Sequence, residues 1–362
     1  MLVTQRGFLP EPDPLTHFPE SSEFAMLDEV GRDLPSLLED RGFRSYAREL
    51  VIPLWPKTQV QSDELPVLRL YYLRVGFLAS AYVNQIGQEP TSILPVNIAV
   101  PLCQVCTMLQ RPPILSYDGY ALYNWKRCRP TEPIALGNLE TLQNFVHLYD
   151  EHWFILVHVE IEAIAAELLG AIDSTRKALA GNEPASIEDN LKRIEQAIRR
   201  QVRVLKRIPE KMDPGLYHKT FRRYIRFFED VTYEGVNQAP ISFRGETGAQ
   251  SSILPVLVAF LKVPHKPSPL MNHLVDMRRY MPPEHRTIIE EAEHMPSIRH
   301  LVNRETFNSV LQALAEFREV HFNWAEQYIN RWVNDPRGTG GTPYMQWLKQ
   351  LIDETKAYQD LT

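Results

Sequence analysis

Eleven histidines and three cysteines are the side chains from which metal or nucleophile chemistry could be built. One histidine is set apart by its company. Over residues 305–332, Phe307, Val310, Leu314, Phe317, Trp324, Tyr328 and Trp332 recur at three- and four-residue steps, which keeps one apolar stripe on one face of a helix. The stripe has a gap between Phe317 and Trp324, and His321 fills it. A neutral imidazole in such a seam must either find a hydrogen-bond acceptor or ligate a metal. The first makes His321 a satisfied core residue. The second makes it an axial haem ligand, because one His on a helix in an apolar pocket is how many haem irons are held. Arg318, one turn earlier, would then pair with a haem propionate. His158 sits likewise among Phe154, Val157, Ile161 and Ala165, and spacing alone does not separate the two. A pair from two helices would give bis-His ligation. His147, His152 and His218 are further candidates, whereas His17, His265, His273, His285, His294 and His300 lie among charges or prolines, the setting of exposed side chains.

Other chemistries lack their parts. Cys103-Gln104-Val105-Cys106 is a CxxC, but Thr107 follows where covalent haem attachment needs His, and no second Cys pair completes a structural zinc site. HExxH, GxSxG and P-loop patterns are absent from the sequence. Gly338-Thr339-Gly340-Gly341-Thr342 lacks the Lys of a phosphate cradle and reads as a mobile loop able to act as a lid. Across 362 residues, 44% are apolar and 23% charged, as in a soluble globular protein. The net charge of −6 argues against a nucleic-acid or anionic-membrane partner. Three cysteines cannot frame a disulfide scaffold. Tyr71 to Val83 is too short to span a bilayer and carries Arg74, and Met1 to Phe18 has no apolar signal core, so a cytoplasmic location is expected.

These side chains must be positioned by helices. The 28 prolines punctuate periodic segments rather than forming a tract. Helical spacing predicts elements at residues 22–38, 64–88, 98–109, 150–179, 214–229, 250–262, 272–280, 284–293, 305–332 and 344–358. Ser186-Ile187-Glu188-Asp189 fits a capping box opening a basic helix that runs to about Ile208. Alternating β-branched runs are few. The expectation is an all-α protein of two domains, a smaller one over 1–145 and a larger helical one over 146–362.

Five segments, in order, resemble the indoleamine 2,3-dioxygenase family. They are Asn97-Ile98-Ala99-Val100-Pro101; Pro112-Pro113-Ile114-Leu115 with Asn124-Trp125-Lys126; Thr247-Gly248-Ala249-Gln250-Ser251-Ser252; Met277 to Arg286; and Gly338 to Thr342. The resemblance implies haem b held between helices of a large all-helical domain. It also implies opening of the pyrrole ring of L-tryptophan by O2 to N-formylkynurenine, the chemistry of the kynurenine pathway, in a monomer that needs an electron donor to keep its haem ferrous. Carried onto this chain, His321 matches the proximal ligand and Arg318 a residue near the propionates. Arg222 matches the arginine that clamps the substrate carboxylate, as a planar, permanently charged guanidinium can. Tyr117, Trp153 and Leu156 fall where the family lines the indole pocket, with Tyr217 beside the clamp. Thr247 and Gly248 fall in the segment over the haem's distal face, and Thr339 in the loop that closes on the substrate amine. With Leu156 over the iron, no distal side chain is expected to serve as acid or base, and His158, two residues on, is expected to face away. The chain departs from vertebrate members in pairing Tyr217 with His218, in Glu246 where Gly is common, and in Leu156 where a small hydroxyl residue is common. A related haem enzyme acting on another indole, or a haem sensor without turnover, are the alternative readings.

Overall fold

Many helix starts are set by proline, which presets φ and lacks an N–H that would have no partner in a first turn anyway. In the computed structural model, which describes residues 5–56, 61–181, 183–332 and 343–360, this accounts for part of the proline excess. The N-terminal helices are α1 (Met26–Glu39), α2 (Phe43–Glu49), α3 (Leu65–Val83) and α4 (Val96–Met108). Next come the long α5 (Tyr149–Gly181), α6 (Pro184–Leu205), α7 (Pro214–Lys219), α8 (Ile253–Leu261), α9 (Pro269–Arg278) and α10 (Pro283–His294). Finally there are α11 (Arg304–Tyr328) and α12 (Tyr344–Asp360). Five of them, α3, α6, α7, α9 and α10, carry Pro in the first two positions. Side-chain caps set other starts: Asp213 accepts from the N–H of Gly215 and Leu216, Ser268 from Met271 and Asn303 from Glu305. No described helix is long and apolar enough to cross a membrane.

The chain is all-α with minor sheet. Among the described residues there are five short strands: β1 (Ile93–Leu94), β2 (Lys126–Arg127), β3 (Leu139–Glu140), β4 (Phe228–Tyr233) and β5 (Ile241–Phe243). β4 lies between β1, to which it runs parallel, and β5, to which it runs antiparallel, while β2 pairs antiparallel with β3. This corrects the single helix expected over 214–229. α7 stops where Thr220 leaves helical geometry, a 3-10 turn spans Phe221–Arg223, and Phe228, Val231 and Tyr233 turn their side chains into the core from a strand. The capping box is corrected too. α6 already starts at Pro184, so the Ser186 hydroxyl lies inside its first turn and donates to Glu183 instead.

The buried apolar side chains form two clusters. One is built on α3, α4 and residues 114–125, and also takes Tyr224 to Tyr233 with Met277 and Tyr280. The other is built on α5, α6, α8, α10 and α11. α5, 33 residues and therefore about 50 Å long, serves both. Its Ile155, Leu156 and Val159 enter the first cluster, and Val157, Ile161 and Ala165 the second.

Candidate active site

A cavity of about 620 Å³ opens among α5, α8, α9, α11, α12 and the segment Glu246–Ser251. That is the size of a cofactor or drug-sized ligand site. His321 of α11 and His158 of α5 both line it. Burial, reinforced by His158, lowers the His321 imidazole to about 4, so it is neutral at physiological pH. No described residue hydrogen-bonds its ring. His158 is also held neutral by burial, and its Nδ1 lies 2.7 Å from the Phe154 carbonyl. A carbonyl only accepts, so Nδ1 carries the proton and Nε2 is an acceptor. Phe154, one turn earlier, tilts against the His158 ring at 4.5 Å and against Tyr217 at 5.6 Å.

This corrects the expected distal wall. Residues two apart on an α-helix differ by about 200°, so Leu156 and His158 cannot share a face. His158 and Phe154 face the cavity, and Leu156 is buried in the first core cluster. Trp153 also points elsewhere: its indole N–H donates to the Arg207 carbonyl at 3.0 Å, and its ring lies under the Arg207 and Lys211 cations. Tyr117 stands behind the wall rather than in it, edge-on to His158 at 6.0 Å with its hydroxyl on Glu162 at 2.9 Å.

Other expected residues do gather here. Tyr217, Thr247, Gly248 and Arg318 line the cavity with His321. Thr247 caps a 3-10 turn through its hydroxyl, which accepts from the Ala249 N–H, and Gly248 follows it. A Cβ added to Gly248 would stand 4.0 Å from His321 Nε2, so this glycine faces the imidazole. Arg318 is buried, its Nη1 donating to the Leu351 carbonyl and to Thr355 of α12, while its Nε has no hydrogen-bond partner among the described residues. Arg222, on the 3-10 turn after α7, is buried and close enough to Tyr217 to lower its phenol, and it does not itself line the cavity. Thr339 lies outside the described residues.

Several contributors were not foreseen. His265 and His273, read as exposed, line the cavity, and His285, also read as exposed, is buried against Phe8. Tyr344 at the start of α12 brings a buried hydroxyl without a hydrogen-bond partner among the described residues, close enough to Arg222 to feel its charge. Glu246 places a carboxyl on the wall, only 3% exposed. Only Glu246 carried a prior signal, as a departure from glycine.

The family model for indoleamine 2,3-dioxygenase matches residues 2–331. The chain belongs to the indoleamine 2,3-dioxygenase family. It is 29% identical to indoleamine 2,3-dioxygenase 1 of Rattus norvegicus over 95% of this chain and 91% of the rat protein. It is 30% identical to indoleamine 2,3-dioxygenase 2 of Homo sapiens over 96% and 92%. A myoglobin of Haliotis madaka is 25% identical over 98% and 96%. Membership in the indoleamine 2,3-dioxygenase family supports a haem-dependent dioxygenase acting on an indole. The cavity suits haem on its own terms. A neutral imidazole with no hydrogen bond faces a residue without a side chain, and a buried guanidinium nearby keeps one N–H unpaired, as a site for an iron and an anionic propionate requires.

Proposed function

We propose that this protein binds haem b and opens the pyrrole ring of L-tryptophan with O2 to give N-formylkynurenine. The observation that carries the reading is the neutral His321 imidazole, without a hydrogen bond among the described residues, in a cavity that a second, tautomerically fixed histidine also lines. Haem, when bound, supplies the oxygen chemistry, and the protein supplies binding, orientation and exclusion of water.

In this reading His321 would ligate the iron, Arg318 would meet a propionate through its unpaired Nε, and Thr247 and Gly248 would line the wall that the imidazole faces. Arg222 grips the substrate carboxylate, with Tyr217 and the Tyr344 hydroxyl beside it. Phe154 lies against the indole, and His158 Nε2 accepts its N–H. The role given by resemblance to Leu156 passes to His158, whose side of α5 is the one the cavity sees. Thr339 is assigned to the substrate amine by resemblance. Holding the indole at near-attack distance can itself remove about 7–11 kcal/mol of barrier. We take the protein to be a cytoplasmic monomer with a domain boundary near residue 145, served by a separate electron donor.

A second reading, a haem protein without turnover, is favoured by the likeness to the abalone myoglobin. Arg222 weighs against it, since an oxygen carrier has no use for a carboxylate clamp. The test is absorption spectroscopy of ferric, ferrous and ferrous-CO forms with and without L-tryptophan, followed by product mass under labelled O2. A tryptophan-dependent Soret shift and two heavy oxygen atoms in the product support the dioxygenase. A spectrum indifferent to tryptophan supports the carrier.

A further inference from the structure

His265 lines the cavity from the connection between α8 and α9, with one ring nitrogen already engaged. Its side chain is 4% exposed, and its Nδ1 is hydrogen-bonded to the Glu354 carboxylate of α12. Glu354 also accepts from the Gln350 amide at 2.9 Å and from the Lys266 backbone N–H. Burial works against its charge, yet these hydrogen bonds hold the carboxyl below its ordinary value, so it is ionised and only accepts. Nδ1 of His265 therefore carries the proton. That leaves Nε2 as the nitrogen available to the cavity, and no described residue hydrogen-bonds it. A carboxylate behind an imidazole is also how proteins fix the ring and make its other nitrogen more basic.

The same turn of α12 receives Arg318. Its Nη1 donates to the Leu351 carbonyl at 2.7 Å and to the Thr355 hydroxyl, which flank Glu354, so Arg318 and His265 meet α12 within about one turn of each other. Arg318 stands three residues before His321 on α11, which puts this corner about one turn from the imidazole that Gly248 faces. Tyr344 lines the cavity from the same α12, ten residues before Glu354 and about 15 Å away along the axis. The corner is thus distinct from the end at which Tyr344 stands near Arg222.

A buried guanidinium beside an imidazole braced by a carboxylate suits an anion. Burial lowers His265 below its ordinary value, against its hydrogen bond to Glu354 and with the help of Arg318, and these are the two charged groups that act on it. A neutral ring with its proton on Nδ1 offers only a lone pair at Nε2, which a carboxylate repels. With a second carboxylate at Nε2, the doubly donating imidazolium becomes the favoured form.

We propose that His265 is a haem-anchoring residue: with Glu354 held on Nδ1, its Nε2–H donates to a haem propionate, and the imidazole takes up one proton from solvent as haem binds. This rests on the reading of the cavity as a haem site. Arg318 and His265 then tie the propionate edge to one turn of α12.

The test is the rate of porphyrin loss from the loaded protein to excess apomyoglobin, for haem b and for its dimethyl ester, whose propionates are capped, between about pH 6 and pH 9. In His265→Ala, loss of haem b is expected to be about tenfold faster and loss of the ester to change by less than about twofold. In wild type, loss of haem b is expected to accelerate as pH rises and the imidazolium gives up its proton, and His265→Ala is expected to lack that acceleration. Glu354→Gln keeps the imidazole and the packing but removes the charge, so it is expected to move the acceleration to lower pH. Equal acceleration of both porphyrins in His265→Ala overturns the proposal, because the side chain would then act through packing. So does a pH profile that wild type and the variants share. If His265→Ala does not fold, Glu354→Gln decides alone: an unshifted profile overturns the proposal. A wild type that retains neither porphyrin overturns the haem reading itself, and this proposal with it.

Discussion

Gly248 faces His321 so directly that a single added Cβ would stand 4.0 Å from the imidazole Nε2. That is ordinary van der Waals contact in the protein alone, so any side chain at this position would project into the space in front of the imidazole. Gly248→Ala is expected to lower haem occupancy, because a group bound to His321 would have to share that space with the added methyl, and Gly248→Leu is expected to lower it further. Soret absorbance per mole of protein measures both.

His321 and His158 separate by what their loss removes. His321→Ala is expected to abolish haem uptake. His158→Ala should leave the Soret band and weaken tryptophan by roughly 3- to 10-fold, the worth of one neutral hydrogen bond. Haem titration and tryptophan binding on the two variants read this out. Intact haem uptake in His321→Ala would remove the foundation of the proposed function.

Arg222→Ala is expected to lower kcat/KM for L-tryptophan by roughly 10- to 150-fold, since hydrogen bonds to a charged group are worth about 1.5–3 kcal/mol. Tryptamine, which has no carboxylate, is the control. Its binding should change little, and an equal loss for both compounds would show that Arg222 acts through folding instead.

His285 predicts acid sensitivity. It is buried beside Phe8, with Ser252 Oγ 3.3 Å from its Nδ1, and burial, assisted by Arg69 and Arg111, lowers it to about 3. The unfolded chain, with an ordinary value near 6.5, binds the proton first, so stability is full above that pH and declines as pH falls towards 3. At pH 5 the contribution lost is about 2 kcal/mol, from a difference of about 1.5 pH units at 1.36 kcal/mol each. Denaturant unfolding of wild type and His285→Gln at pH 7 and pH 5 should show a smaller acid loss in the variant.

What could be read from the chain follows the range of the physics involved. The stripe of α11 announced both a helix and the odd imidazole within it, because periodicity is local. The family motifs named Tyr217 and the Thr247-Gly248 turn, which line the cavity, and Arg222, which is buried nearby without lining it. The distal wall failed on a two-residue offset, which on a helix is the difference between one face and the other, and no spacing of residues 153–158 says which core each face meets. His285 and His265 read as exposed because charged neighbours along the chain do not report what packs on them from afar. The segment 214–229 was misread since β4 pairs on one side with β1, remote in sequence, and on the other with β5, a partner that lies beyond the end of the segment.

α5 lends opposite faces of one continuous helix to both core clusters. Neither half can open to solvent without unravelling a backbone the other depends on, so the two are expected to melt as one cooperative unit. A ligand entering beside His158 would then raise the temperature of a single calorimetric peak, rather than split the transition into a protected half and an indifferent one.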